Sequence, residues 1–123
     1  MPLLQRCKVL VVEDEFFLAE DLAFALRSRG AGVVGPIADF DRAVDQASRS
    51  GFDVAVLDIN LGNKATYVIA DQLKQSAIPF MFTTGYSAEV IPDRFRNVIR
   101  LEKPYQVEQL VEMVSQLCNA ADA

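Results

Sequence analysis

The 123-residue chain contains no histidine, and this excludes every mechanism that uses an imidazole as base, nucleophile or zinc ligand. Basic residues are outnumbered as well. Twelve Lys and Arg against 17 Asp and Glu leave a net charge of −5, whereas a nucleic-acid binder normally carries a basic face. No apolar run approaches the ~18 residues of a membrane span. The N-terminus lacks the apolar core of a signal peptide, because Met1 to Leu4 passes at once into Gln5-Arg6-Cys7-Lys8. Cysteine is scarce: Cys7 and Cys118 fall in no metal or redox spacing, so they read as free thiols in a reducing compartment. Both can reach the amino edge of a sheet, yet no bond between them is expected. These absences predict a cytoplasmic protein with neither nucleic acid nor membrane as partner. With 51% hydrophobic and 24% charged residues, the chain reads as one ordered soluble domain.

What is present alternates strand and helix. Lys8 to Val12 predicts a buried first strand, and Glu15 to Arg29 a helix with Leu18, Leu22, Ala25 and Leu26 at helical spacing and Gly30 as its C-cap. Gly32 to Ile37 gives a second strand, with Pro36 suited to a sheet edge. Asp39 caps a helix to about Ser50 with Phe40, Ala43, Val44 and Ala47 on one stripe. Val54-Ala55-Val56-Leu57 is an uninterrupted apolar strand ending at Asp58. A loop at Asn60-Leu61-Gly62-Asn63 leads to a helix from about Thr66 to Gln75, burying Ile69, Ala70 and Leu73. Phe80 to Thr84 is the fourth strand and Val98 to Leu101 the fifth. Between them Pro92 cuts the segment from Ser87 to Asn97 into short turns. The last helix runs from about Gln106 to Cys118, with Val107, Leu110, Val111, Val114 and Leu117 on one face.

Five strands separated by helices imply an α/β fold, a doubly wound parallel sheet of order 2-1-3-4-5 with a shortened or irregular fourth helix. Ligands in such sheets bind at the carboxyl edge, where the strand order reverses. That edge brings Glu13 and Asp14 beside Asp58. Three carboxylates there repel one another, which a divalent cation relieves, and all-oxygen donors favour magnesium or manganese. Glu15 reads only as an acid loading the positive N-terminus of the first helix. Thr84 and Lys103 end the fourth and fifth strands at the same edge. Around a phosphorylated Asp58, a metal, an ammonium and a hydroxyl would neutralise the phosphoryl oxygens.

Val11-Val12-Glu13-Asp14, Asp58, Thr84-Gly85 and Lys103-Pro104 together resemble the receiver domain of two-component response regulators, the CheY-like version of the flavodoxin fold, over essentially all of residues 1–123. The resemblance implies that Asp58 accepts a phosphoryl group from a sensor histidine kinase or a histidine phosphotransfer protein. It implies Mg2+ held by Asp14, Asp58 and the Asn60 backbone carbonyl, with Glu13 acting through water. It further implies a cis Lys103-Pro104 bond, a switch through Thr84, and a monomer or weak homodimer without turnover chemistry beyond autophosphatase activity. Pro79-Phe80-Met81-Phe82-Thr83-Thr84-Gly85-Tyr86 is similar to the Pro-Phe-x-Phe-Ala-Thr-Gly-Tyr signature of the FAT GUY receivers, with Thr83 in place of Ala. Those mostly stand alone, which leads to the expectation of a receiver with no output domain.

One position departs from the family. Arg100 stands where most receivers carry the strand-five aromatic of the switch, so Tyr86 is the candidate to take over that coupling. Other classes fit the residues less well, and the retained Asp14, Asp58, Thr84 and Lys103 argue against a degenerate receiver. A haloacid-dehalogenase-type phosphatase needs a second acid where Asn60 stands. A flavodoxin-like nucleotide binder wants its phosphate loop after strand one, and a degenerate receiver would serve only as a binding module.

Overall fold

The computed structural model describes residues 4–85 and 91–122. Its central strand is the run that ends at the candidate phosphoacceptor: β3 (Val54–Asp58) is buried at all five positions. It pairs in parallel on one side with β1 (Lys8–Val12), Val9 against Val54 through Val12 against Leu57. On the other side it pairs with β6 (Phe80–Thr84), Ala55 against Phe80 through Asp58 against Thr83. β2 (Gly32–Ile37) and β7 (Arg100–Glu102) complete the parallel sheet at its edges. The order β2-β1-β3-β6-β7 is the predicted one, and a small antiparallel hairpin, β4 (Asn60–Leu61) with β5 (Lys64–Ala65), stands where a plain loop was expected. Gly62 turns that hairpin with φ 64°, a value favouring glycine.

Alternation along the strands divides the core between the two faces of the sheet. Val9, Val11, Val54, Val56 and Met81 face α1 (Phe16–Ser28) and α4 (Val107–Asp122), which bring Leu22, Leu26, Leu110, Val111 and Val114. Leu10, Val12, Ala55, Leu57, Phe80 and Phe82 face α2 (Phe40–Ala47) and α3 (Tyr67–Gln75), which bring Ala43, Ala47, Ile69, Ala70 and Leu73. Asp39 caps α2 as expected, its carboxylate accepting the Arg42 N–H at 3.0 Å. Four boundaries differ from the sequence reading. The C-cap of α1 is Arg29, with Gly30 following at φ 96°. α2 stops at Ala47, and Val44 on its supposed inner stripe is exposed. α4 continues past Cys118 to Asp122. β7 starts at Arg100 because Val98 closes a turn, its N–H bonded to the Phe95 carbonyl at 3.0 Å.

The edge strand β2 carries a local distortion that only glycine permits. Gly35 has φ 102°, and a Cβ there would come within 2.8 Å of the Val11 carbonyl oxygen and the Ile37 nitrogen. The register against β1 shifts at this point, beside a cis Gly35-Pro36 bond. Pro36, which has no N–H to give a ladder, sits on an edge strand as predicted. The Lys103-Pro104 bond is cis, as the resemblance implies.

The described end of the fourth crossover is held by aromatic packing. Among the described residues between β6 and β7, the helical structure is one 3-10 turn, Asp93–Phe95. Phe95 is fully buried and stacks on Tyr67 at 5.6 Å, with Phe82 edge-on at 5.6 Å and Phe80 at 6.4 Å. Arg94 lies over the Phe95 ring at 4.6 Å and pairs in bidentate fashion with Asp71 of α3 at 2.9 and 3.0 Å. Phe95→Ala is expected to cost about 3–5 kcal/mol, read as a lowered urea midpoint; a loss near zero would show that the crossover holds itself in place without that ring.

Candidate functional site

The carboxyl ends of β1, β3, β6 and β7 converge on one cleft of about 650 Å³, lined by Asp14, Glu15, Leu18, Asp58, Asn60, Gly62, Gly85, Lys103, Pro104 and Tyr105. At its floor Lys103 makes three ionic contacts. Its Nζ lies 2.9 Å from Asp58 Oδ2, 3.1 Å from Glu13 and 3.3 Å from Glu15 Oε2. Glu13 and Asp58 are 3% and 4% exposed, so two acids are buried around one cation. Unpaired, each would carry a heavy desolvation penalty. The backbone supplies further donors: the Glu15 N–H reaches Glu13 Oε2 at 3.0 Å and the Asn60 N–H points at Asp58 Oδ1 at 3.4 Å.

Glu13, Asp14 and Asp58 present oxygens that all lie within 4.8 Å of one another. Three hard oxygen donors at that spacing, two of them buried, suit an oxygen-loving divalent cation rather than zinc or copper. Asp14 is exposed, and its Oδ2 accepts the Gly62 N–H at 2.7 Å. The β4–β5 hairpin is thereby tied to the acid pair that follows β1.

Thr84, at the end of β6, is 3% exposed, and its carbonyl accepts the Lys103 N–H at 2.8 Å. That bond joins the hydroxyl-bearing strand to the lysine-bearing one. Arg100 is solvent-exposed on β7 and lies opposite Phe82 in the register. Tyr86, proposed from sequence as the coupling residue, lies outside the described residues.

Three features were not expected. Glu15, read as a simple helix-terminus acid, precedes α1 without capping it and instead reaches Lys103. Thr66 is fully buried, and its hydroxyl donates to the Asp58 carbonyl at 2.8 Å, with the Ile59 carbonyl at 3.2 Å. It thus pins the backbone on which the candidate nucleophile sits. A threonine just ahead of a predicted helix signals a cap, but its use on Asp58 depends on how the hairpin folds back. The third concerns the cysteines: Cys7 and Cys118 form a disulfide with Cα atoms 6.1 Å apart, which corrects the expectation of free thiols. Sequence separation concealed it, since 111 positions divide two residues that α4 brings together by returning along the sheet.

Electrostatics follow from burial. Desolvation, the largest influence, lifts the Glu13 carboxyl from 4.5 to about 7, helped by the charge of Asp58 and opposed by the Glu15 N–H and Lys103. Burial also raises Asp58, against the pull of the Lys103 hydrogen bond and charge. Burial alone would lower Lys103, but its bonds to Asp58 and Glu13 prevail and keep it an ammonium. Because the Glu13 pKa is higher folded than unfolded, its proton favours the fold below about 4.5, and that contribution disappears as pH rises through about 7. In chelator, the melting temperature of Glu13→Gln minus that of the parent should therefore increase between pH 5 and pH 8. A difference independent of pH would show that burial does not raise Glu13.

The response regulator receiver domain model matches residues 9–115. The sensory transduction protein RegX3 of Mycolicibacterium smegmatis is 34% identical over 117 residues, covering 86% of this chain and 48% of that protein. The phyllosphere-induced regulator PhyR of Methylorubrum extorquens is 30% identical over 118 residues, covering 89% of this chain and 42% of that one. This chain thus spans less than half the length of these two relatives. The crystal structure of a response regulator receiver protein from Sinorhizobium medicae matches with a TM-score of 0.78 at 27% identity, over 94% of this chain and 96% of that one. With the acid cluster, Asp58, Thr84 and Lys103 gathered at one sheet edge, the chain belongs to the response regulator receiver domain family.

Proposed function

We propose that the protein receives a phosphoryl group on Asp58, in the presence of Mg2+, from a phosphohistidine on a sensor kinase or phosphotransfer protein in the cytoplasm. The observation that carries this reading is the Lys103 ammonium 2.9 Å from the Asp58 carboxylate, inside a cluster of acids able to hold a divalent cation. Asp58 attacks phosphorus through a carboxylate oxygen; the new O–P bond forms as the N–P bond to the partner's imidazole breaks. Lys103 keeps Asp58 anionic before transfer and afterwards faces the phosphoryl oxygens. Mg2+ held by Asp14, Asp58 and the Asn60 carbonyl, with Glu13 assisting, would neutralise the incoming charge. Thr66, by holding the Asp58 carbonyl, limits the rotation of the nucleophile.

Asn60 argues against turnover. A phosphatase of this geometry needs an acid two residues after the nucleophile to work as general acid and base; an amide holds no proton for that purpose. The acyl phosphate then serves as a signal. Its charge would act on Thr84, whose strand neighbour Phe82 packs into the ring cluster of Tyr67 and Phe95. That gives a packed route from the site to the segment that leads into β7, for which Arg100 supplies no aromatic of its own.

The donor must present its histidine at the cleft mouth. Phe16, Phe17 and Phe24 of α1, the helix that begins beside Glu15, are 68%, 80% and 72% exposed. Large apolar side chains displayed next to a reactive group suit a docking partner. A protein surface carrying phosphohistidine is the occupant that the proposed chemistry at Asp58 calls for.

Incubation with a small acyl phosphate and Mg2+ should add one phosphoryl group to the protein, detected as a mass gain that Asp58→Asn or chelator abolishes. Absence of that gain in the parent protein would leave a phosphorylation-independent binding module as the better description. Phe17→Ser should slow transfer from a phosphorylated protein donor roughly tenfold or more, in keeping with an interface anchor, while labelling by the small donor is unchanged. Equal loss with both donors would place the effect in the site rather than at docking.

A further inference from the structure

The Cys7–Cys118 bond lies at the sheet edge remote from Asp58, where Cys7 leads into β1 and Cys118 precedes the last turn of α4. Three observations define what it can do. First, Cys118 is the final buried residue of α4 among those whose burial is described: Asn119, Ala120 and Ala121 are exposed. The bond is thus the outermost anchor of that helix. Second, the surrounding core is secured without it. Leu4, Val9, Val11, Leu110, Val111 and Val114 are buried together. Cys7 is further held by its N–H on the Leu4 carbonyl at 3.0 Å and by the Gly32 N–H on its own carbonyl at 2.9 Å. Opening the bond should release a helix end and leave the sheet intact. Third, both cysteines line a solvent-open cleft of about 240 Å³ with Gln5, Arg6, Asp53, Asn119 and Ala121. A small thiol can approach there, and Arg6 supplies a cation suited to a thiolate or to a carboxylate on the incoming molecule. Asp53, the acid in the cleft, is engaged by the Lys8 N–H at 2.8 Å.

We propose that Cys7 and Cys118 form a reversible thiol–disulfide exchange site, acted on by low-molecular-weight thiols bearing a carboxylate, that fastens or frees the last turn of α4. In reduction, a thiolate attacks one sulfur; a mixed disulfide forms, the Cys7–Cys118 bond breaks, and the departing sulfur takes up a proton. A second thiol displaces the remaining cysteine. Two small thiols become one small disulfide, and the protein gains two electrons and two protons. Oxidation is the reverse, with the small disulfide as the oxidant. The site stands apart from the phosphoacceptor, so its test does not depend on phosphorylation.

The chain would be equilibrated in glutathione buffers from fully reduced to fully oxidised, its thiols trapped by alkylation and counted by mass. The ratio of dithiol to disulfide should rise in proportion to the square of reduced glutathione divided by oxidised glutathione. Amides of residues 116–121 should exchange on the order of tenfold faster in the reduced state, while those of β3 and β6 keep their protection. Cys118→Ser should show the fast exchange in every buffer, and Cys7→Ser reports the same state if the first variant does not fold. A disulfide that persists in the most reducing buffer, one that never forms in the most oxidising, or exchange at 116–121 that ignores the redox state would each overturn the proposal.

Discussion

The cleft depends on one ion pair. Lys103 and Asp58 meet at 2.9 Å, almost out of water, with Glu13 nearly as close on the same ammonium. Burying an acid is costly unless a cation or several donors face it, and here one cation faces two buried acids and the exposed Glu15. Desolvation raises Glu13 and Asp58, and the excess negative charge around Lys103 keeps it protonated. It also prepares the edge for a divalent cation, whose charge would offset the same repulsion.

The rest of the fold serves to bring these groups together. Parallel pairing aligns the ends of β1 and β3, which sets the acid pair beside Asp58. The bond from the Lys103 N–H to the Thr84 carbonyl fixes the lysine strand against its neighbour. Thr66 and the β4–β5 hairpin hold the chain just after Asp58, and Asp14 ties that hairpin back to β1. Phe95, in the described part of the crossover between β6 and β7, fills a buried position, and its cation partners Arg94 and Lys74 lie over its ring. At the far edge, a covalent bond closes β1 onto α4. RegX3 and PhyR carry the matching unit within proteins about twice as long.

Much of this was legible in the residues. Continuous apolar strands can only be buried on both faces, and alternation with helices then leaves little choice of sheet order. Because chemistry in such sheets gathers at the carboxyl edge, the residue ending each strand was enough to name Glu13, Asp14, Asp58, Thr84 and Lys103 together. Composition contributed as well, since the absence of histidine directs attention to carboxylates as candidate reactive groups. What sequence determined, then, is whatever follows from period and from strand ends, since both are local properties of the chain.

What only the tertiary structure decided depends on distance between segments far apart in the chain. Val44 belongs to an apolar stripe by spacing, yet it is exposed on α2, where Ala43 and Ala47 are buried. Glu15 looked like a helix-end acid until Lys103, 88 positions away, came within 3.3 Å. The role of Thr66 required the hairpin to fold back on β3. The cysteines read as unrelated because no local spacing joins them, and α4 brings them together only by packing antiparallel to the strands. Such contacts arise from closure of the whole sheet, and no window of sequence contains both partners.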